Sequence, residues 1–210
     1  MQENVANLVR LMLVTDDQQV RGRDLIALVR AAERGGVTSV QLRMKAAGGR
    51  ELAQLVRALT PELTIPLIVN DRPDVAIAAG AAGVHVGPGD LPVRLARKIA
   101  PAGFIIGASV GSRPEAEAAR DADYWGIGPW RLTATKPDAG GALGADGFSG
   151  ILALAAGKPA IAIGGVRPED VGAVLRLGGS GVAVVSGILG ADDVEAAARE
   201  YSGKSSQREE

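Results

Sequence analysis

Residues 66–86 read PLIVNDRPDVAIAAGAAGVHV, and this stretch contains the repeating unit of the chain. The apolar run 66–69 predicts a buried strand, and residues 73–79 predict a helix that begins with proline, whose missing N–H costs nothing in the first turn. Gly80 marks the end of that helix. A second apolar run at 83–86 predicts the next strand. This order indicates two parallel strands joined by a helical crossover.

The same alternation of apolar runs and helical patterns recurs along the chain. Most of the runs are continuously apolar, as in strands of a parallel sheet that is covered on both faces. The predicted strands are residues 11–14, 39–42, 66–69, 83–86, 105–108, 124–127, 160–163 and 182–185. The predicted helices are residues 21–34, 50–59, 73–79, 92–99, 113–119, 147–156, 168–177 and 193–201. Eight such units most simply close into a single (β/α)8 TIM barrel, an α/β fold.

One barrel domain is therefore predicted for residues 1–201, and residues 202–210 are predicted to form a disordered polar tail. The alternative is an open, doubly wound sheet. Its Gly-rich nucleotide fingerprint would follow the first strand, where Val14-Thr15-Asp16-Asp17 stands instead. Residues 129–146 form an unusually long Gly-rich connection, which is typical of a functional lid or of a disordered loop.

The composition excludes several classes of protein. The chain has 210 residues and a net charge of −1, which argues against a nucleic acid or an anionic membrane as the main partner. It contains no cysteine, so disulfides, thiolate metal sites and cysteine nucleophiles are excluded. The sequence contains no signal-peptide pattern and no apolar run of membrane-spanning length, so a cytoplasmic location is expected. The oligomeric state is not determined, and a homodimer is left open.

Charged side chains gather where the second, third and fourth predicted strands end, which is the rim where the active sites of (β/α)8 barrels form. Arg43 and Lys45 share one face of the second strand with Gln41, and Asp71 and Asp90 follow the next two strands. Two carboxylates beside two cations suit a Mg²⁺–diphosphate site, since Mg²⁺ takes one or two carboxylates together with phosphate oxygens and water. The alternative is that the two aspartates only cap helices.

The later strand ends indicate a second anion site. The turns Gly164-Gly165 and Val185-Ser186-Gly187 follow the seventh and eighth strands, where glycine-rich backbone forms a recurring phosphate site of this fold. Ser109 ends the fifth strand, and the sixth leads to Thr133-Ala134-Thr135-Lys136, which suits phosphate capture. Plain tight turns and a solvated loop are the alternatives. His85, the only histidine, is typical of a hydrogen-bonded core residue. Two anion sites suggest two phosphorylated substrates, or one with phosphates at both ends.

Taken in order, these strand ends resemble the thiamine phosphate synthase family. The resemblance covers residues 11–190. The matching segments are residues 13–16, 40–45, 67–72, 83–87 with 90–92, 106–110, 126–129, 133–136, 162–166 and 182–186. Any one of these motifs is weak, but nine of them in the right order are specific.

The resemblance implies an activity and a role for each matching residue. The family joins hydroxymethylpyrimidine diphosphate to a thiazole phosphate with Mg²⁺ as cofactor, and the products are thiamine monophosphate and pyrophosphate. Loss of the diphosphate would leave a pyrimidine-stabilised cation, which the thiazole nitrogen attacks. The implied ligands are Asp71 and Asp90 for the metal; Arg43, Lys45, Asn70 and Lys136 for the diphosphate; Gln41 and Ser109 for the pyrimidine; and Thr133, Thr135, Gly164, Gly165, Val185 and Ser186 for the thiazole phosphate.

The chain departs from the family pattern at two places. Arg131-Leu132 replaces a usual Phe-Pro, and Pro88-Gly89 replaces a frequent Gln-Glu. Three alternatives to the synthase remain. The first is the thiazole tautomerase branch of the family, which carries a histidine where Gly111 stands here. The second is an isomerase or lyase that acts on a sugar phosphate, and the third is a regulator that only binds its ligand.

Overall fold

Eight parallel strands close into a barrel in the computed structural model, which describes residues 2–132 and 141–205. Each strand pairs with the next along the chain, and the last pairs with the first. The strands are β1 (Leu11–Val14), β2 (Ser39–Leu42), β3 (Leu67–Asn70), β4 (Gly83–Val86), β5 (Ile105–Val110), β6 (Tyr124–Ile127), β7 (Ala160–Ile163) and β8 (Gly181–Val184). The predicted (β/α)8 TIM barrel is therefore confirmed.

Helices connect the strands and cover the outside of the barrel. They are α1 (Gln2–Leu8), α2 (Leu25–Arg34), α3 (Gly49–Leu59), α4 (Pro73–Ala79), α5 (Val93–Ile99), α6 (Arg113–Ala118), α7 (Gly144–Leu152), α8 (Pro168–Arg176), α9 (Ser186–Leu189) and α10 (Val194–Ser205), with a 3-10 turn at Thr60–Glu62. Local chemistry determines several of their ends. The Asp24 side chain accepts the N–H groups of Ile26 and Ala27 at the start of α2. Gly80 adopts the left-handed region, with φ of 81°, at the end of α4.

The predicted elements differ from the observed ones mainly at their ends. Every predicted strand is present; β3 and β8 are displaced by one residue, and β5 is two residues longer. Helices α1 and α9 were not predicted. Helix α10 runs through Ser205, so residues 202–205 are helical where the polar composition predicted disorder. Residues 206–210 lie outside the described part of the chain.

The core has two parts, one between the sheet and the outer helices and one inside the barrel. The interior cluster is formed by inward-facing strand residues such as Met12, Ile68 and Ile161. Val5 and Leu8 of α1 join this interior cluster. Helix α1 therefore closes the end of the barrel at which the strands begin, and the opposite end is left for a site. Among the described residues, no helix has the length and apolar character needed to cross a bilayer.

Candidate active site

A cavity of about 660 Å³ opens at the ends of the strands, where the sequence predicted the site. The predicted site residues that line it are Gln41, Arg43, Asn70, Ser109, Gly164, Gly165, Val185 and Ser186. Lys45, Asp71 and Asp90 stand beside it, next to the lining residues Asn70 and Gly89. The remaining predicted residues, Thr133, Thr135 and Lys136, lie outside the described part of the chain. The structure thus brings together both predicted anion sites, and the ligand contacts themselves stay predictions.

Asp71 has an uncommon backbone conformation that helps to position its carboxylate. Its φ is 64°, in the left-handed region that aspartate and asparagine tolerate better than most residues. The Asp71 amide donates to the His85 carbonyl at 2.8 Å, which ties the end of β3 to β4. The side chain does not cap α4, because the residue at that cap is Arg72. The capping explanation for this aspartate is therefore wrong.

Asp90 lies close to Asp71, although the two residues follow different strands. Burial raises the pKa of Asp90, and the nearby Asp71 carboxyl raises it further. The Gly87 amide, which donates to Asp90 Oδ2 at 2.7 Å, and the charge of Lys45 act in the opposite direction. The residue that caps α5 is Pro92. Asp90 therefore lies in a cluster with Asp71 and Lys45 at the strand ends and does not cap α5.

These two carboxylates and Lys45 fit a Mg²⁺ site that the substrate would complete. Lys45 Nζ lies 3.4 Å from Asp71 Oδ2, and the lysine side chain is 55% exposed. Two adjacent carboxylates repel each other unless a cation or a proton lies between them. Within residues 2–132 and 141–205 no cluster of three or more histidine, aspartate or glutamate side chains forms a closed metal cage. Mg²⁺ commonly binds through one or two carboxylates, with substrate phosphates and water filling the other positions.

The loop after β1 contributes two aspartates that sequence reasoning missed as site residues. Arg43 Nη1 lies 2.9 Å from Asp16 Oδ2, and the two side chains are only 16% and 14% exposed. Asp17 accepts the backbone N–H of Lys45 at 2.8 Å. The buried Thr15 hydroxyl accepts the Arg43 amide at 2.8 Å. This loop therefore holds both cations of the second strand end in place.

The turn after β7 is held tightly against the root of the loop after β6. Gly164 and Gly165 have φ values of 91° and 66°, and a Cβ on either would collide with Pro129 or Arg131. The Arg131 amide donates to the Gly164 carbonyl at 2.8 Å. Its guanidinium pairs with Asp170 near the start of α8. Burial alone would raise the pKa of Asp170, but hydrogen bonds from Arg131 and from the Arg167 amide hold that pKa below its usual value.

His85 lies inside the barrel and also lines the cavity. Its Nδ1 is 3.0 Å from the Tyr124 hydroxyl, and its Nε2 is 3.0 Å from Ser109 Oγ. The interpretation of this residue as a hydrogen-bonded core histidine is confirmed. No sequence pattern pointed to Tyr124, because a tyrosine that begins an apolar strand is indistinguishable from an ordinary core residue.

Comparisons with known proteins match the whole barrel. The family model described as thiamine monophosphate synthase matches residues 11–188. A thiamine-phosphate synthase of Azorhizobium caulinodans is 48% identical over 194 residues, covering 90% of this chain and 91% of that protein. One from Chloroflexus aurantiacus is 46% identical over 204 residues, covering 94% of each chain. The structure of a thiamine phosphate pyrophosphorylase from Pyrococcus furiosus superposes with a TM-score of 0.85 at 36% identity, over 97% of this chain and 98% of that one.

Proposed function

The chain belongs to the thiamine monophosphate synthase family, and on that premise we propose that it is a transferase that makes thiamine monophosphate. Its substrates are hydroxymethylpyrimidine diphosphate and 4-methyl-5-(2-phosphoethyl)thiazole, and pyrophosphate is the second product. The observation that carries the proposal is the convergence of Arg43, Lys45, Asp71 and Asp90 beside a cavity whose far wall is the backbone turn Gly164-Gly165.

The reaction needs leaving-group stabilisation more than it needs a strong base. When the carbon–oxygen bond to the diphosphate breaks, the departing oxygens gain negative charge, and the pyrimidine ring delocalises the positive charge that is left behind. Arg43 and Lys45 lie where they would neutralise the diphosphate, and Asn70 offers an amide to it. Mg²⁺ held by Asp71 and Asp90 would supply further positive charge to the leaving group.

The glycine turns would hold the second substrate in position for attack. The backbone around Gly164, Gly165, Val185 and Ser186 lines the cavity and can donate N–H groups to a phosphate. Fixing the thiazole phosphate there would place its ring nitrogen near the carbon that loses the diphosphate, and such positioning is a large part of catalysis in two-substrate reactions. Thr133, Thr135 and Lys136 are proposed from the family resemblance to complete these contacts.

The decisive experiment mixes the purified protein with both substrates and Mg²⁺ and measures pyrophosphate and thiamine monophosphate together. We expect the two products in equal amounts, no product when either substrate is omitted, and loss of activity on chelation that added Mg²⁺ restores. Pyrophosphate release without thiamine monophosphate, or full turnover in excess chelator, would contradict the proposal. We propose a cytoplasmic location, which fits substrates too highly charged to cross a bilayer unaided. A homodimer, left open by the sequence, is measurable by sedimentation of the same preparation.

A further inference from the structure

The side chains of His85 and Tyr124 are hydrogen-bonded to each other and buried beneath the cavity. His85 lies on β4 and Tyr124 on β6, and the strand between them has Gly107 at the same level. A Cβ on Gly107 would overlap the Tyr124 ring, and one on Gly126 would lie 3.2 Å from His85 Cε1. These two glycines therefore leave the space through which the rings meet, with centroids 5.4 Å apart. The two hydrogen-bonded rings are therefore carried by strands of the barrel.

Hydrogen bonds connect Tyr124 and His85 to Ser109, one of the two residues that the family resemblance assigns to the pyrimidine. At one end, His85 Nε2 lies 3.0 Å from Ser109 Oγ, and Ser109 lines the cavity. At the other end, the Met12 sulfur lies 3.9 Å from the Tyr124 hydroxyl and accepts from Gln41 Nε2 at 3.5 Å, and Gln41 also lines the cavity. Tyr124 itself has no exposed surface. A ligand that touches Ser109 therefore rests on hydrogen bonds that run from Ser109 through His85 to Tyr124.

The direction of these hydrogen bonds follows from the tyrosine. Burial raises the pKa of the Tyr124 hydroxyl, so it keeps its proton. The tyrosine proton then needs an acceptor, because an unpaired buried hydroxyl is costly. His85 Nδ1 at 3.0 Å is a far better acceptor than the Met12 sulfur at 3.9 Å. A neutral imidazole that accepts at Nδ1 carries its proton on Nε2.

We propose that Tyr124 and His85 are positioning residues that make the Ser109 hydroxyl a hydrogen-bond donor to the ligand. His85 Nε2–H donates to Ser109 Oγ, so the serine proton is free to point into the cavity. The site then selects a ligand atom with a lone pair at this place, as a pyrimidine ring nitrogen has. The identity of that ligand rests on the proposed function; the direction of the hydrogen bonds does not.

Nuclear magnetic resonance tests the direction without any substrate. His85 is the only histidine in the chain, so a long-range ¹H–¹⁵N spectrum of the imidazole needs no assignment. We expect the Nε2–H tautomer at neutral pH. In Tyr124→Phe, which keeps the ring and removes only the hydroxyl, we expect the Nδ1 signal to shift and the Nδ1–H form to appear. Tyr201→Phe is the matched control, since it removes the other tyrosine hydroxyl from α10 and leaves the imidazole signals unchanged. An Nδ1–H tautomer or an imidazolium in the wild-type protein would overturn the proposal.

Kinetics test whether Tyr124 and His85 act through Ser109. We expect Tyr124→Phe to raise KM for the pyrimidine diphosphate by about tenfold, the effect of losing one well-placed hydrogen bond, and to change KM for the thiazole phosphate by less than about twofold. Ser109→Ala should lose at least as much, and Tyr124→Phe should add little to it, because residues that act through one another are not additive. Additive losses, or an equal rise in both KM values, would overturn the proposal. If Tyr124→Phe does not fold, the wild-type spectrum still shows which nitrogen of His85 carries the proton. Absence of product with the wild-type enzyme would refute the proposed function and leave the spectrum as an independent result.

Discussion

The ammonium group of Lys45 lies 3.4 Å from the carboxylate of Asp71, although the two residues follow different strands of the barrel. Asp90 is adjacent to the same carboxylate, so each charge of this cluster depends on the others. We expect Lys45→Ala and Asp71→Asn each to lower kcat by at least about tenfold in the pyrophosphate assay, because each removes charge that stabilises the leaving group. Asparagine tolerates the left-handed backbone of position 71, so the second variant should fold normally.

The control for this prediction is Lys98→Ala, which removes an exposed lysine from the last turn of α5. That helix end lies away from the rim where β3 and β4 finish, so turnover should be unchanged. Circular dichroism and thermal melting would establish that all three variants are folded. Wild-type kcat in both Lys45→Ala and Asp71→Asn would remove the proposed roles of this cluster.

The Asp16 carboxylate holds Arg43 against the cavity wall, and we predict that Asp16→Asn weakens binding of the diphosphate substrate. The guanidinium loses its charged partner and samples other orientations, so KM for the pyrimidine diphosphate should rise by about three- to tenfold. KM for the thiazole phosphate should stay unchanged. Glu62→Gln is the comparison, since it breaks an exposed arginine–carboxylate pair far from the rim. The same effect on both KM values would show that Asp16 supports the fold in general and does not specifically orient Arg43.

The fold was predictable from local pattern because buried parallel strands are continuously apolar, as in β1 and β6, whose predicted and observed bounds coincide. Two helices were not predicted, because local sequence pattern does not specify them. Helix α1 precedes the first strand and is stabilised by packing Val5 and Leu8 into the open end of the barrel. Helix α9 is a single turn after β8 whose sequence, Ser186-Gly187-Ile188-Leu189, has no helical signature of its own.

The site was predictable to the extent that fold topology brings strand ends together. Asp71 and Asp90 could be placed at one rim because parallel strands of a barrel end at the same edge. The Asp16–Arg43 pair and the Tyr124–His85 bond were not predictable, since each depends on which side chains from different strands point at one another. Arg131 was noticed in the sequence only as a departure from the family pattern. Its ion pair with Asp170 was not predictable, because Asp170 lies far from it in the sequence.

The Arg131–Asp170 pair should make stability depend on pH in acid. The pKa of Asp170 is lower in the folded protein than the value of about 3.9 expected when unfolded, so its contribution is present above that pH and is lost as the pH falls through the folded pKa. We expect Asp170→Asn to reduce the free energy of unfolding at neutral pH by about 1–3 kcal/mol, since hydrogen bonds to a charged acceptor are lost. The free energies of unfolding of the two proteins, measured by denaturant melts, should approach each other as the pH falls from about 4 through the folded pKa of Asp170.

Asp74→Asn provides the contrast for this measurement. Arg72 and Asp74 form an ion pair with side chains 46% and 61% exposed, and pairs of this kind contribute less than about 1 kcal/mol. The variant should therefore differ little from the wild type at any pH. A stability difference for Asp170→Asn that persists unchanged into strong acid would mean that the amide disturbs packing and that the ion pair is not responsible.

The Tyr201 hydroxyl contacts the turns after β7 and β8. This contact predicts that alanine at position 187 destabilises the protein. The buried Tyr201 hydroxyl donates to the Val166 carbonyl at 3.1 Å, and a Cβ on Gly187 would overlap that hydroxyl. Gly187→Ala alone should destabilise the protein by about 1–3 kcal/mol, as overpacking in a close-packed core does. In the Tyr201→Phe background the missing oxygen leaves room for the methyl group, so the same substitution should cost at least about 1 kcal/mol less, a coupling that a double-mutant cycle of unfolding free energies measures. Additive effects would mean that the other close neighbours of a Cβ at position 187, such as Val184 Cγ1 at 3.1 Å, and not the hydroxyl, exclude alanine there.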